Sequence, residues 1–203
     1  MKRTDLIRRL AAIPPLPTPR PDTEQVMTPP EVAADLLLSA LARGDLSGRT
    51  VLDLGSGTGV LAIGAALCGA ARVTGVESDA AALEIARGAS TTLQDRVTWV
   101  FGDVGLATEA VDTVLMNPPF GAQHRHADRP FWERAFDLAR SAVYAFALPD
   151  SRTFIARRAV ARGARIEETL PVAWRFPRTF PHHRQRSVEL AVDRWTLRLG
   201  DER

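Results

Sequence analysis

"TVLDLGSGTG", residues 50–59, decides how the rest of the chain is read. Its first five residues are mostly apolar and read as a buried strand. Three glycines follow at 55, 57 and 59, and "TGVLAIGAALCGA" (58–70) reads as an apolar helix. A glycine-rich turn between a first strand and a helix lets a ligand approach the backbone at the helix N-terminus. The spacing is G-x-G-x-G, not the G-x-G-x-x-G of dinucleotide-binding folds, which disfavours a nicotinamide dehydrogenase.

Outward from this turn, strands and helices alternate. Residues 72–77, 97–103, 111–117 and 142–148 read as strands. Residues 79–90, opened by Asp79 as a cap, 129–141 and 151–163 read as helices. Residues 164–176 and 186–197 read as two closing strands able to form an antiparallel pair. Ahead of the first strand, residues 1–12 form a short amphipathic helix and 13–30 a proline-rich extended segment. Pro29 and Pro30 then open a helix that Gly44 stops. The pattern predicts an α/β, Rossmann-like fold with about seven strands in a mainly parallel sheet. Helices cover both faces, and the last strand is antiparallel.

A chain of 203 residues suits one large domain, and 45% hydrophobic residues suffice for its core. No apolar run of about 18 residues is present, so no membrane span is expected. "MKRTDLIRRL" lacks the apolar stretch of a secretory signal. Cys68 is the only cysteine, which excludes an internal disulfide and a cysteine-based zinc site. These features favour the cytoplasm. The net charge is only +2, yet of 26 basic residues all but Lys2 are arginine. Arginine forks onto phosphates and stacks on bases, which suits RNA; a GC-rich genome or a hot habitat would leave the same bias. "RFPRTFPHHRQR" (175–186) is a local basic patch without an acid.

Carboxylates stand where the first three strands end. Asp53 precedes the first glycine by two residues, a place of little use for a pyrophosphate loop. It would hold a cationic amino-acid head, directly or through water. Glu77 ends the second strand, 22 residues after Gly55, and can accept from both hydroxyls of a ribose. Asp103 ends the third strand and can take the exocyclic amine of adenine, with Val104 beside the ring. Amino-acid head, ribose and adenine together describe S-adenosylmethionine.

"VLMNPPFGAQ" (114–123) ends the fourth strand. Two consecutive prolines cannot donate to a sheet ladder, so the strand must stop there. In an open parallel sheet, ligands bind beyond the carboxyl ends of the strands at the switch point. The Asn117 side-chain oxygen and the Pro118 carbonyl can both accept from one planar –NH2 group, while Pro119 stiffens the turn. Phe120 offers a ring to stack on a base.

At these motifs the chain resembles the class I S-adenosylmethionine-dependent methyltransferases of the N6-adenine type. More narrowly, it is similar to small archaeal and eukaryotic enzymes that modify an adenosine in small-subunit ribosomal RNA. The resemblance spans roughly residues 22–197 and rests on "TEQVMTPPEVAADLL", "VLDLGSGTGVLAIGAALCGA", "DAAALEIA", "DTVLMNPPFG", "ARSAVYAF" and "RSVELAVD". Val26 stands where the family has tyrosine. The resemblance implies that Gln25 and Thr28 reach over the methionine end of the cofactor. It implies that Gly55, Thr58 and Val60 form the cofactor turn, that Glu77 takes the ribose, and that Asp103 with Val104 takes the adenine; Asp53, Gly57 and Gly59 join the cofactor site from the reading of the glycine turn itself. Asn117, Pro118, Pro119 and Phe120 would be the catalytic turn. Residues 1–203 would then be a single methyltransferase domain, its segment 1–30 packing over the cofactor site. It further implies a small zinc-ribbon activator protein, forming a heterodimer by pairing with an exposed sheet edge.

Other features are less specific. Arg178, His182, His183, Arg184 and Arg186 lie between the last two strands, where RNA could pass or where a hairpin loop is simply solvated. His124 and His126 lack a cysteine or acid at ligand spacing, so a basic substrate loop is expected there and no metal. Trp99, Trp132, Trp174 and Trp195 read as structural, and Cys68 as core. A protein glutamine side chain or guanine N2 would also present an amide or amine to the proline turn, and DNA is not separated from RNA by the turn. A non-catalytic cofactor-binding subunit is a further alternative, although such subunits tend to lose this turn.

Overall fold

A computed structural model describes residues 1–17, 27–120, 126–177 and 187–200. Its strands are β1 (Thr50–Leu54), β2 (Arg72–Glu77), β3 (Val97–Phe101), β4 (Val111–Met116), β5 (Ala139–Ala147), β6 (Arg165–Pro177) and β7 (Ser187–Arg198). They form one sheet in the order β3-β2-β1-β4-β5-β7-β6. The first five run parallel, and β7 is antiparallel to both β5 and β6. The order reverses between β1 and β4, which makes the carboxyl ends of these two strands the switch point.

The helices are α1 (Arg3–Ala11), α2 (Pro30–Ala42), α3 (Val60–Leu67), α4 (Ala80–Ala89), α5 (Arg129–Leu138) and α6 (Arg152–Ala161). Val51, Val73, Leu115, Tyr144 and Phe146 project from the sheet onto one face, where α1, α2 and α3 bury Leu6, Leu10, Leu36, Leu37 and Ile63. Leu52, Leu54, Val114, Met116 and Val143 fill the other face against Trp132 and Phe136 of α5 and Ile155 of α6. Each fully buried Leu or Ile side chain contributes roughly 1.5–3 kcal/mol. Two such layers clamp β1 and β4 from both sides and leave only their ends open to a ligand. Asp79 accepts from the N–H groups of Ala81 and Ala82 and caps α4 as expected.

Of the boundaries that differ from the sequence reading, two have a visible cause. The strand expected at 142–148 begins at Ala139, directly after α5. The apolar spacing of 131–138 continues helically into Ala139, but Ala139 pairs with Val111, and this ladder captures the next residues. The third strand stops at Phe101, not residue 103. Asp103 instead accepts from the Gly105 N–H and opens a one-turn 3-10 helix.

Candidate active site

The turn after β1 is held from two sides. The N–H groups of Gly55 and Ser56 both donate to the Val76 carbonyl, at 2.9 and 3.0 Å. The Glu77 carboxylate accepts from Gly57 N–H at 2.7 Å through Oε2 and from Asp79 N–H at 2.8 Å through Oε1. A carboxylate offers about four lone-pair sites, so Glu77 keeps acceptor capacity for hydroxyls while fixing the turn.

Gly59 has φ 89° and caps α3, a left-handed conformation that disfavours any β-carbon. A β-carbon there would also come within 2.7 Å of Cη2 of Trp99. Gly57 has φ 53°, and nothing lies within 4 Å of the place its β-carbon would take. The turn is therefore backed by an indole at Gly59 and faces open space at Gly57. The indole is fixed in turn, since Trp99 Nε1 donates to Ser90 Oγ at 3.0 Å.

Asp53 is 1% exposed. Its Oδ2 accepts from the Ala62 N–H at 2.9 Å, while Oδ1 has no partner among the described residues. Burial pushes this carboxyl up to about 7; the Ala62 hydrogen bond pulls it down and the Glu77 charge pushes it further up. Ser56 Oγ is likewise buried without a partner among the described residues, a group that the sequence reading missed. Two buried polar atoms without partners among the described residues, in and just after β1, leave this end of the sheet short of hydrogen-bond partners. An ammonium head and a ribose would complete it, so these residues fit S-adenosylmethionine. Thr58, Val60 and Val104 are buried at the same end of the sheet, and Asp103 is exposed.

Asn117 follows Met116, the last residue of β4, in the strand beside β1. Its Nδ2 donates to Thr28 Oγ1 at 3.0 Å, and Thr28 is buried. With the nitrogen bound to Thr28, the amide turns its oxygen the other way. Pro118 is buried; Pro119 and Phe120 are half-buried. The Phe120 ring meets the Trp174 indole edge-on, with centroids 5.8 Å apart and planes at 89°.

The structure thus brings Thr28, Asp53, Glu77, the three glycines and Asn117 to one end of the sheet. Gln25, His124, Arg178, His182, His183, Arg184 and Arg186 lie outside the described residues. Three aromatic residues with a place at the site were not read from sequence. Trp99 backs Gly59, Trp174 touches Phe120, and Phe131 has its Cε1 2.7 Å from where a Gly55 β-carbon would be. Ring size was their signal in the sequence, with the basic patch that Trp174 borders, since each arrives from a distant element. Among the described residues, no three His, Cys, Asp or Glu side chains group as metal ligands. Nor is any helix there long and apolar enough to cross a membrane.

A glycine turn at the switch point, acids at the ends of the neighbouring strands and an Asn-Pro-Pro-Phe turn on β4 define an S-adenosylmethionine-dependent methyltransferase. The chain belongs to the methyltransferase small domain family, whose model matches residues 29–144. It is 35% identical over 187 residues to the rRNA N(6)-adenosine-methyltransferase Mettl5 of Drosophila melanogaster, covering 88% of each chain. The corresponding METTL5 of Danio rerio is 32% identical, with 95% of this chain and 97% of that one covered. A crystal structure of a candidate RNA methyltransferase from Pyrococcus horikoshii superposes with a TM-score of 0.91, at 34% identity and 99% coverage of both chains.

Proposed function

We propose that this enzyme methylates N6 of an adenosine in RNA, specifically in small-subunit ribosomal RNA. The observation that carries the reading is the turn 117–120, which leaves β4 beside the glycine turn with its amide tied to Thr28. When bound, S-adenosylmethionine supplies an electrophilic methyl group on a sulfonium. The protein's part is to hold the acceptor. Asn117 Oδ1 and the Pro118 carbonyl accept from the two N–H groups of the planar amine. Accepting both draws the nitrogen toward tetrahedral geometry and turns its lone pair away from the acceptors. Positioning and electrostatics then carry the step, and no strong base is needed before attack. Phe120 stacks on the base, a contact worth roughly 1–3 kcal/mol. That offsets part of the few kcal/mol needed to flip an adenine out of a helix.

The bond from Asn117 to Thr28 supports a role for the segment before α2 as a cover over the cofactor, with Gln25 completing it. Arg178, His182, His183, Arg184 and Arg186 supply the RNA backbone contacts. The zinc-ribbon activator would pair with β3, the strand at one end of the sheet order. Phe101 and Leu106 on that side are 57% and 59% exposed, an apolar surface that a partner would cover. We assign the protein to the cytoplasm, where ribosomal RNA is at hand.

The test is incubation with methyl-labelled S-adenosylmethionine and unmodified small-subunit rRNA, then mass spectrometry of the nucleosides. Labelled N6-methyladenosine is expected. Labelled N2-methylguanosine, or label taken up only by a protein glutamine, would replace this reading.

A further inference from the structure

The Phe120 ring does not stand alone. Trp174 of β6 meets it at 5.8 Å and 89°, and meets Phe146 of β5 at 5.1 Å and 87°. Trp174 is 0% exposed and Phe146 is equally buried, so both rings are fixed by the core around them. Phe120 is only half-buried. The two prolines before it fix the backbone but leave its own side-chain torsions open. Among the described residues, the aromatic contact of Phe120 is with Trp174.

From this geometry we infer that Trp174 is a positioning residue for catalysis: it sets the plane of the Phe120 ring and so the face on which the target base stacks. The inference rests on the base-stacking reading proposed above. A perpendicular neighbour suits that role. It locks the plane of the ring and leaves room for a parallel partner, which is the arrangement that a base adopts on an aromatic side chain. Trp174 stands on β6, which ends at Pro177, and in the sequence the basic segment 178–186 follows. If Trp174 were only a core residue, its loss would lower stability without regard to Phe120.

A double-mutant cycle separates the two roles. Wild type, Phe120→Leu, Trp174→Leu and the double variant are compared in methyl transfer to unmodified small-subunit rRNA, with cofactor affinity measured by calorimetry. Trp174→Leu should lower kcat/KM for RNA by about tenfold while cofactor affinity stays within about twofold. In the Phe120→Leu background the same change should cost almost nothing. Trp174→Phe, which keeps an aromatic edge and spares the fold, should recover most of the loss. Equal losses from Trp174→Leu in both backgrounds, or a cofactor defect as large as the transfer defect, would overturn the inference. If Trp174→Leu fails to fold, Trp174→Met, which keeps more of the side-chain bulk and removes the aromatic edge, carries the same cycle. A coupled cycle whose product is not N6-methyladenosine keeps the role of Trp174 and removes the adenine reading. A wild type that transfers no methyl group to any RNA removes both.

Discussion

Asn117 donates to Thr28 across 3.0 Å, and 89 residues separate the two in the chain. The bond orients the amide proposed to hold the reacting amine, from a residue that precedes the whole sheet. Thr28→Val keeps the shape and removes the acceptor. An unmet buried amide N–H costs about 1–3 kcal/mol, so kcat should fall roughly tenfold or more. Cofactor affinity should change little, and Thr28→Ser should restore the rate. Steady-state kinetics with calorimetry measures both; a rate unchanged in Thr28→Val would refute the orienting role.

Two glycines of one turn should respond differently to alanine. At Gly59 the left-handed φ and the Trp99 ring both oppose a β-carbon. Gly59→Ala should therefore lower the melting temperature and weaken the cofactor together. At Gly57 the space is open. Gly57→Ala should leave a protein that folds with only the backbone penalty of about 1–2 kcal/mol, yet binds cofactor at least tenfold more weakly. Thermal melts beside titrations distinguish the two patterns.

Burial holds the Asp53 carboxyl near 7, against an ordinary value of 3.8. The folded protein thus keeps a proton that the unfolded chain releases between these values. Stability conferred by this group falls as pH rises from about 4 to 7 and is level above. Asp53→Asn should remove that slope, raise stability at pH 8 and weaken cofactor binding. Urea unfolding at pH 5 and pH 8 reads this; an identical pH response in wild type and variant would contradict it.

Trp99 contacts Gly59 and Gly75 and donates to Ser90. Its removal should cost up to the 3–5 kcal/mol typical of large-to-small core changes, less for its partial exposure. The loss of cofactor affinity should exceed that of a comparable change at Trp132, which lies on the other face of the sheet. Equal effects at both tryptophans would place Trp99 in the core only.

The sequence reading carried furthest where local chemistry dominates. β1 and β2 run over the same residues that apolar patterning marked, because a glycine turn and a charged end punctuate them. The antiparallel closing pair was legible for the same reason. β5 was misjudged at its start, since Ala139–Ser141 become strand only by pairing along β4. Asp53, Glu77 and Asn117 were readable as candidates because each lies at or next to the carboxyl end of a strand. Ser56, Trp99, Phe131 and Trp174 were not, because contacts across the sheet and between layers give them their roles. The dual use of Glu77, holding Gly57 and Asp79, likewise needs the folded turn.

The proposed chemistry depends on Asn117 as the acceptor of the reacting amine. Asn117→Ala, assayed for methyl transfer to rRNA and titrated with S-adenosylmethionine, tests it most directly. Transfer should fall about 10²–10³-fold, in keeping with removal of a positioned transition-state contact, with cofactor affinity nearly unchanged. Loss of both in equal measure, or transfer that survives, would contradict it.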